Sequence, residues 1–164
     1  MEMKDQVAII TGAGQGIGRA TALAMAKAGA AVACVDINGE AAKAVAAEAG
    51  KLGGRTFSVS ADLGDVKEID RMVGEIVTAF GRVDCLVNNA GVTRKAYIMD
   101  LTEADWDHIH RVNAKGVFFV ITHPSPSAVQ AEAVPVSAAR TAWMASSGPR
   151  PLRRPVATTE RMSA

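Results

Sequence analysis

A glycine-rich segment near the N-terminus has the composition of a phosphate-binding turn. Residues 11–18 read Thr-Gly-Ala-Gly-Gln-Gly-Ile-Gly and follow the β-branched run at residues 6–11. Glycines let backbone N–H groups approach a pyrophosphate without a Cβ in the way, and the N-terminus of a following helix adds about half a positive charge. The spacing Gly12-x-x-x-Gly16-x-Gly18 therefore predicts a dinucleotide-binding turn. The alternative is a flexible turn without a ligand.

An acidic residue ends the second apolar run of the chain. This residue is Asp36, the last of residues 31–36. A carboxylate after the second strand of a dinucleotide-binding unit accepts hydrogen bonds from the adenosine ribose hydroxyls. Because it would repel a 2′-phosphate, Asp36 predicts NAD as the cofactor in preference to NADP. The alternative is a solvent-facing aspartate at a strand end.

The elements that must position these residues alternate regularly. Apolar and β-branched runs predict four strands, at residues 6–11, 31–36, 55–60 and 83–88. Stretches that end at glycines predict helices at residues 17–28, 39–52 and 66–80, and another helix begins at Thr102. Strands and helices in this alternation form a parallel sheet through right-handed crossovers. The prediction is an α/β fold, a Rossmann-like doubly wound parallel sheet that is incomplete at about four strands, with an irregular C-terminal tail.

Four motifs occur at the ends of these predicted elements. Asn88-Asn89-Ala90-Gly91 follows the fourth strand. The others are Thr11, Gly12, Gly16 and Gly18 in the glycine-rich turn, Asp62-Leu63 after the third strand, and Asn113 in the last predicted helix. Together they resemble the motifs of the short-chain dehydrogenase/reductase family, and Asn88-Asn89-Ala90-Gly91 is the most specific of them. The resemblance covers about residues 4–122.

The resemblance implies an NAD(P)-dependent oxidoreductase that transfers a hydride between the nicotinamide and an alcohol or ketone substrate. Asp62-Leu63 would contact the adenine, and Asn113 would help to organise a catalytic water and lysine. Members of the family are commonly homo-oligomers. The cofactor-binding residues expected on this basis are Thr11, Gly12, Gln15, Gly16, Ile17, Gly18, Asp36, Asp62, Leu63, Asn89, Ala90 and Gly91.

The catalytic residues of the family have no match in this chain apart from Asn113. The family uses a serine and a Tyr-x-x-x-Lys pair, in which the lysine lowers the pKa of the tyrosine that acts as acid or base. The single tyrosine, Tyr97, precedes Asn113 and is followed four positions later by Leu101, and no lysine follows Lys115. We therefore expect a chain that does not catalyse the reaction. One interpretation is an oxidoreductase by family that lacks part of its active site. The alternatives are a non-catalytic dinucleotide-binding module and an inert truncated product.

The amino-acid composition changes near residue 122. All six prolines of the 164 residues lie beyond it, whereas lysine, aspartate, isoleucine and phenylalanine are absent there. The sequence thus predicts a dinucleotide-binding half-domain at residues 1–122 and a Pro-, Arg-, Ala- and Ser-rich tail at residues 123–164. The main hypothesis for this change is that the reading frame of the family is lost near Thr122, so that the residues beyond it are unrelated to the fold. The alternative is a disordered arm whose five arginines contact nucleic acid or protein. Sequencing the DNA and translating the other frames distinguishes them.

Composition also excludes several classes of protein. The chain is 49% hydrophobic with a net charge of +1, which argues against bulk disorder and against a nucleic-acid partner. The longest apolar run, at residues 30–35, is far shorter than a membrane span of about 20 residues. The polar first residues predict no signal peptide, and Cys34 and Cys85 match no metal spacing. We expect a cytoplasmic protein with two buried, reduced thiols and no membrane partner.

Two further expectations concern packing. In the strand order 3-2-1-4, the fourth strand would lie at an open edge of the sheet, which predicts poor solubility or mobile behaviour around this strand. The aromatic residues of the last predicted helix, Trp106, Phe118 and Phe119, are expected to pack, or to meet a partner subunit as on this helix of the family.

Overall fold

The computed structural model describes residues 2–123, and the tail predicted beyond residue 122 lies outside them except for His123. Four strands are present: β1 (Val7–Thr11), β2 (Ala31–Asp36), β3 (Thr56–Ser60) and β4 (Cys85–Val87). The helices are α1 (Gly16–Lys27), α2 (Gly39–Gly50), α3 (Val66–Phe80), α4 (Glu103–His110) and α5 (Val117–Thr122). A 3₁₀ turn spans Ile98–Asp100, and a π-helical turn, Arg111–Gly116, joins α4 to α5.

The four strands form one parallel sheet in the order β3-β2-β1-β4. The predicted α/β fold and strand order are therefore confirmed. The fourth strand is shorter than expected, because only Cys85, Leu86 and Val87 pair with β1. All four strands point the same way, so their carboxyl ends and the turns that follow lie along one edge of the sheet.

Helices cover both faces of the sheet. Ala8, Ile10, Val32 and Cys34 contact α1 and α2 on one face. The opposite face buries Ile9, Ala33, Val35 and Val59 under α3 and α5. The buried residues of α3 are Ile69, Met72 and Ile76, which share one side of the helix and each contribute about 2 kcal/mol by burial. The continuous apolar strands are explained by this double cover.

The thiols differ in their surroundings. Cys34 is fully buried in the central strand β2, and burial raises the pKa of its thiol to about 11. Cys85 was expected to be buried but is only half-buried. The reason is its position on β4, which is an edge strand of the described sheet and has a neighbouring strand on one side only.

The last helical region, which comprises α4, the π-helical turn and α5 at residues 103–122, begins at a well-formed cap. Thr102 and Asp105 form a capping box, in which Thr102 Oγ1 accepts from the Asp105 N–H and Asp105 Oδ2 accepts from the Thr102 N–H. Phe119 packs against the core as expected. Trp106 and Phe118 do not pack into the core, since they are 63% and 60% exposed. The alternative for these two residues, contact with a partner subunit, stays a prediction.

Helix length and polarity also bear on membrane insertion. Within residues 2–123, no helix combines the length and the apolar character needed to cross a bilayer.

Candidate functional site

The glycine-rich turn joins β1 to α1 at the carboxyl edge of the sheet. Gly12 and Gly16 have φ values of 64° and 53°, a region that side chains with a Cβ rarely adopt. A Cβ on Gly12 would lie 2.9 Å from Ala90 Cα, whereas one on Gly16 would meet no described atom within 4 Å. Among the described residues, the Gln15 side chain makes no capping bond to α1. The turn thus leaves the N-terminus of α1 open to a ligand.

Asp36 holds this turn as well as ending β2. Its Oδ2 accepts a hydrogen bond of 2.8 Å from the Gly14 N–H, and its Oδ1 accepts one of 3.0 Å from the Asn38 N–H. Gly14 lies so close that a Cβ there would be 2.8 Å from both Asp36 Oδ2 and Ala41 Cβ. Sequence reasoning had not assigned Gly14 to the site, although the middle glycine of the turn was a visible signal.

Thr11 and Asn89 tie the end of β1 to the loop after β4. Thr11 Oγ1 donates to the Val87 carbonyl and accepts from the N–H groups of Asn89 and Ala90, each at 3.1 Å. Asn89 Nδ2 donates to the carbonyls of Thr11 and Gly12 at 3.0 and 3.1 Å. The two turns that flank the sheet centre are therefore held as one rigid unit.

Asn113 fixes the same loop from the other side. It lies within the π-helical turn, a geometry that often marks functional sites. Its Oδ1 accepts from the Val92 N–H and its Nδ2 donates to the Val92 carbonyl, both at 2.8 Å. Asn113 thus acts on the loop backbone.

A third group forms around the loop after β3. Asp62 Oδ1 accepts a hydrogen bond of 2.8 Å from the Gly64 N–H, and Asp62 Oδ2 lies 3.2 Å from Arg111 Nη2 in an ion pair. Sequence reasoning had not assigned Arg111 or His108 to the site. Their spacing of three residues on one helical region, immediately before Asn113, was the signal that could have indicated them.

Residues of the glycine turn, of the loops after β2, β3 and β4 and of the last helical region line a cleft of about 580 Å³, whereas Asn113 is not one of its lining residues. Ten of the twelve residues expected to bind a cofactor line it: Gly12, Gln15, Gly16, Ile17, Asp36, Asp62, Leu63, Asn89, Ala90 and Gly91. The other two, Thr11 and Gly18, lie behind the turn, where a Cβ on Gly18 would overlap the Gly12 carbonyl oxygen. Walls that the sequence did not indicate come from Val35, Ile37, Ala61, Val92, His108, Arg111 and Val112.

The remaining chemistry-bearing side chains stay apart from the cleft. Tyr97 is 84% exposed and does not line the cleft as described for residues 2–123. Over the same residues, no cluster of three or more histidine, cysteine, aspartate or glutamate side chains could hold a metal ion. The described cleft therefore offers backbone amides, carboxylates and an arginine, which suit a phosphate- and hydroxyl-rich ligand.

Comparison with known proteins gives consistent matches. The family model of short chain dehydrogenases matches residues 6–138. The chain is 42% identical over 118 residues to the (2S)-[(R)-hydroxy(phenyl)methyl]succinyl-CoA dehydrogenase subunit BbsD of Thauera aromatica, covering 72% of this chain and 48% of that protein. It is also 42% identical over 120 residues to the 3-oxoacyl-[acyl-carrier-protein] reductase FabG of Thermotoga maritima, covering 73% and 49%.

Solved structures agree with these relatives. A hydroxysteroid dehydrogenase from Escherichia coli matches with a TM-score of 0.69 and 36% identity, covering 73% of this chain and 50% of that one. A short-chain type dehydrogenase/reductase from Mycobacterium marinum matches with a TM-score of 0.70 and 31% identity, covering 73% and 49%. The chain spans about half the length of the relatives it matches. Because the family model covers most of the sequence, the chain belongs to the short chain dehydrogenase family.

Proposed function

We propose that residues 2–123 form the NAD-binding part of an oxidoreductase that transfers a hydride between the nicotinamide and an alcohol or ketone. The observation that carries this proposal is the position of Asp36, whose carboxylate lies at the end of β2 against the glycine turn and lines the same cleft. A ribose with two free hydroxyls suits a carboxylate placed beside a phosphate-binding turn.

The strand order supports one orientation of the cofactor. The turns follow the strands in the order β3-β2-β1-β4, so Asp62, Asp36, Gly16 and Gly91 succeed one another along the cleft. The pyrophosphate would meet the open N-terminus of α1 at Gly16, and the adenosine would extend toward β3. The nicotinamide would then lie by the loop of Asn89, Ala90 and Gly91, where it would supply the hydride-accepting ring.

Electrostatics support NAD over NADP. Asp36 accepts hydrogen bonds from two backbone N–H groups, which fix its carboxylate at the end of β2. In the proposed binding mode, the 2′-phosphate of NADP would lie beside this carboxylate. Two negative charges about 4 Å apart repel by about 4 kcal/mol near a protein surface. NAD carries a 2′-hydroxyl at this position, which would donate a hydrogen bond to the carboxylate instead.

Catalysis by this chain is not part of the proposal. Tyr97 is exposed and no lysine follows Lys115, so the chain offers no Tyr-x-x-x-Lys pair. The residues here would bind and orient a cofactor, and Asn113 would hold the loop at Val92. We therefore propose binding without turnover for this polypeptide.

Equilibrium titration with NAD and NADP tests the proposal. The wild-type chain is expected to bind NAD at least about tenfold more tightly than NADP, a difference of about 1.4 kcal/mol. Asp36→Asn should reduce this preference to about threefold or less, since it removes the charge but keeps one acceptor oxygen. The matched control is Glu75→Gln, an exposed carboxylate on α3 that pairs with Arg71.

Three outcomes contradict parts of the proposal. Tighter binding of NADP rules out the role of Asp36. The absence of binding to either dinucleotide indicates an inert chain. Reduction of NAD in the presence of a panel of secondary alcohols, followed by absorbance, contradicts binding without turnover.

A further inference from the structure

Arg111 lies on the wall of the cleft formed by the loop after β3. Its guanidinium pairs with Asp62 at 3.2 Å, and both side chains line the cleft. The arginine crosses directly over Gly64, where a Cβ would lie 2.6 Å from Arg111 Nε. Glycine at position 64 is therefore what allows the guanidinium to reach the carboxylate.

The two oxygens of Asp62 are held by different partners. Oδ1 accepts from the Gly64 N–H and Oδ2 faces Arg111, so the carboxylate has one fixed plane. An ionised carboxylate only accepts hydrogen bonds, and each oxygen has more than one acceptor site. At the adenosine end of the cleft, such a group favours a base that presents an amino group over one that presents a carbonyl oxygen.

The π-helical turn anchors Arg111 against this loop. At its other end, Gly116 packs so tightly that a Cβ would overlap the Leu63 carbonyl oxygen. Val112, between them, is buried. Arg111 thus comes from a backbone segment that is fixed against the loop it contacts, so its position is not left to a flexible side chain alone.

We propose that Arg111 is a positioning residue for base selectivity: it orients the Asp62 carboxylate so that the cleft accepts an adenine amino group and rejects a base with a carbonyl at the same place. This inference rests on the proposed binding of a dinucleotide. It adds to that function a residue that acts through Asp62 on the base end of the cofactor.

The probes are NAD and nicotinamide hypoxanthine dinucleotide, whose bases differ at C6, an amino group in adenine and a carbonyl in hypoxanthine, and at N1, an acceptor in adenine and an N–H donor in hypoxanthine. Affinities of the full chain for both are measured by calorimetry. Arg111→Met keeps an unbranched, flexible stem and removes the guanidinium with its charge, and it should weaken NAD binding about fivefold while changing the hypoxanthine analogue less than about twofold. Arg111→Lys should restore part of the selectivity.

Arg71→Met is the matched control, because it removes an exposed arginine paired with Glu68 on α3. It should leave the ratio of the two affinities unchanged. Circular dichroism and the Tm establish that each variant folds. If Arg111→Met does not fold, Arg111→Gln takes its place. An unchanged affinity ratio in a folded Arg111 variant overturns the positioning role alone. Failure of the wild-type chain to bind either dinucleotide overturns both this role and the proposed function.

Discussion

The side-chain amide of Asn113 exchanges two hydrogen bonds of 2.8 Å with the backbone of Val92. One residue in a π-helical turn thereby satisfies both the donor and the acceptor of a loop residue 21 positions earlier in the chain. The loop after β4 is consequently held between two asparagines, Asn89 toward β1 and Asn113 toward the last helical region.

Replacing Asn113 should loosen this loop. Asn113→Ala removes both bonds to Val92, and we expect a loss of about 1 kcal/mol in the free energy of unfolding because the groups are solvent-accessible. Hydrogen exchange at the Val92 amide should accelerate more than exchange at β1 amides. Lys115→Ala, an exposed position in the same turn, is the control. Equal protection of Val92 in both variants would show that the pairing contributes nothing.

The adjacent residues Asn88 and Asn89 provide a matched pair. Asn89→Ala removes the donor to the Thr11 and Gly12 carbonyls and should destabilise the protein by about 1–3 kcal/mol. Asn88 Oδ1 is buried without a hydrogen-bond partner among the described residues, so Asn88→Ala should cost much less. Urea denaturation of the two variants measures the difference. Similar midpoints would show that the bonds from Asn89 to the Thr11 and Gly12 carbonyls do not stabilise the fold.

Replacing a glycine by alanine should lower the stability where a Cβ has no room and raise it where a helical position has room. Gly18→Ala would overlap the Gly12 carbonyl and should cost more than about 2 kcal/mol and distort the turn. Gly74→Ala, on α3 with no described atom within 4 Å of its Cβ, should stabilise the helix by about 0.5–1 kcal/mol. Thermal melting compares them. A neutral Gly18→Ala variant would contradict the close packing of this turn.

Asp84 makes stability depend on pH in the acid range. A hydrogen bond from Arg82 lowers its pKa below the ordinary value of 3.8, burial opposes the shift, and the bond from the Val7 N–H reinforces it. Because the pKa is lower in the folded state, the stabilisation is present above pH 3.8 and is lost as the pH falls through the folded value.

Asp84→Asn should therefore destabilise the protein by about 1 kcal/mol near neutral pH and by less at about pH 3. Urea denaturation of both proteins over this range gives the comparison. Asp65→Asn, which keeps the capping oxygen of α3, serves as a carboxylate control. A stability difference that stays constant down to about pH 2 would exclude this linkage to Asp84.

The cysteines should differ in reactivity. Cys34 is fully buried with a pKa of about 11, so alkylation requires unfolding. Cys85 is half-buried on the edge strand β4 and should react first with a small thiol reagent under native conditions. Mass spectrometry of the alkylated peptides identifies the site. Preferential labelling of Cys34 would indicate that the central strand opens more readily than the edge.

The sequence by itself determined the order and type of the elements. Apolar runs such as residues 31–36 and the glycines that follow the helices are local signals, so β2 and α3 were predicted with their observed bounds. The parallel direction of the strands also follows from the alternation of strands and helices, because right-handed helical crossovers join parallel strands. Asp36 could be placed at the end of a strand because it directly follows the apolar residues 31–35.

Only the tertiary structure decided which side chains meet. The Gly14–Asp36 bond, the Asp62–Arg111 pair and the Asn113–Val92 pairing join residues at least 21 positions apart, and no local pattern encodes such contacts. The sequence likewise left open whether Trp106 packs or meets a partner subunit, and the structure shows it exposed, since a helical residue is buried only if another element covers its side of the helix. Local composition specifies the elements, whereas long-range packing selects the residues that form the cleft.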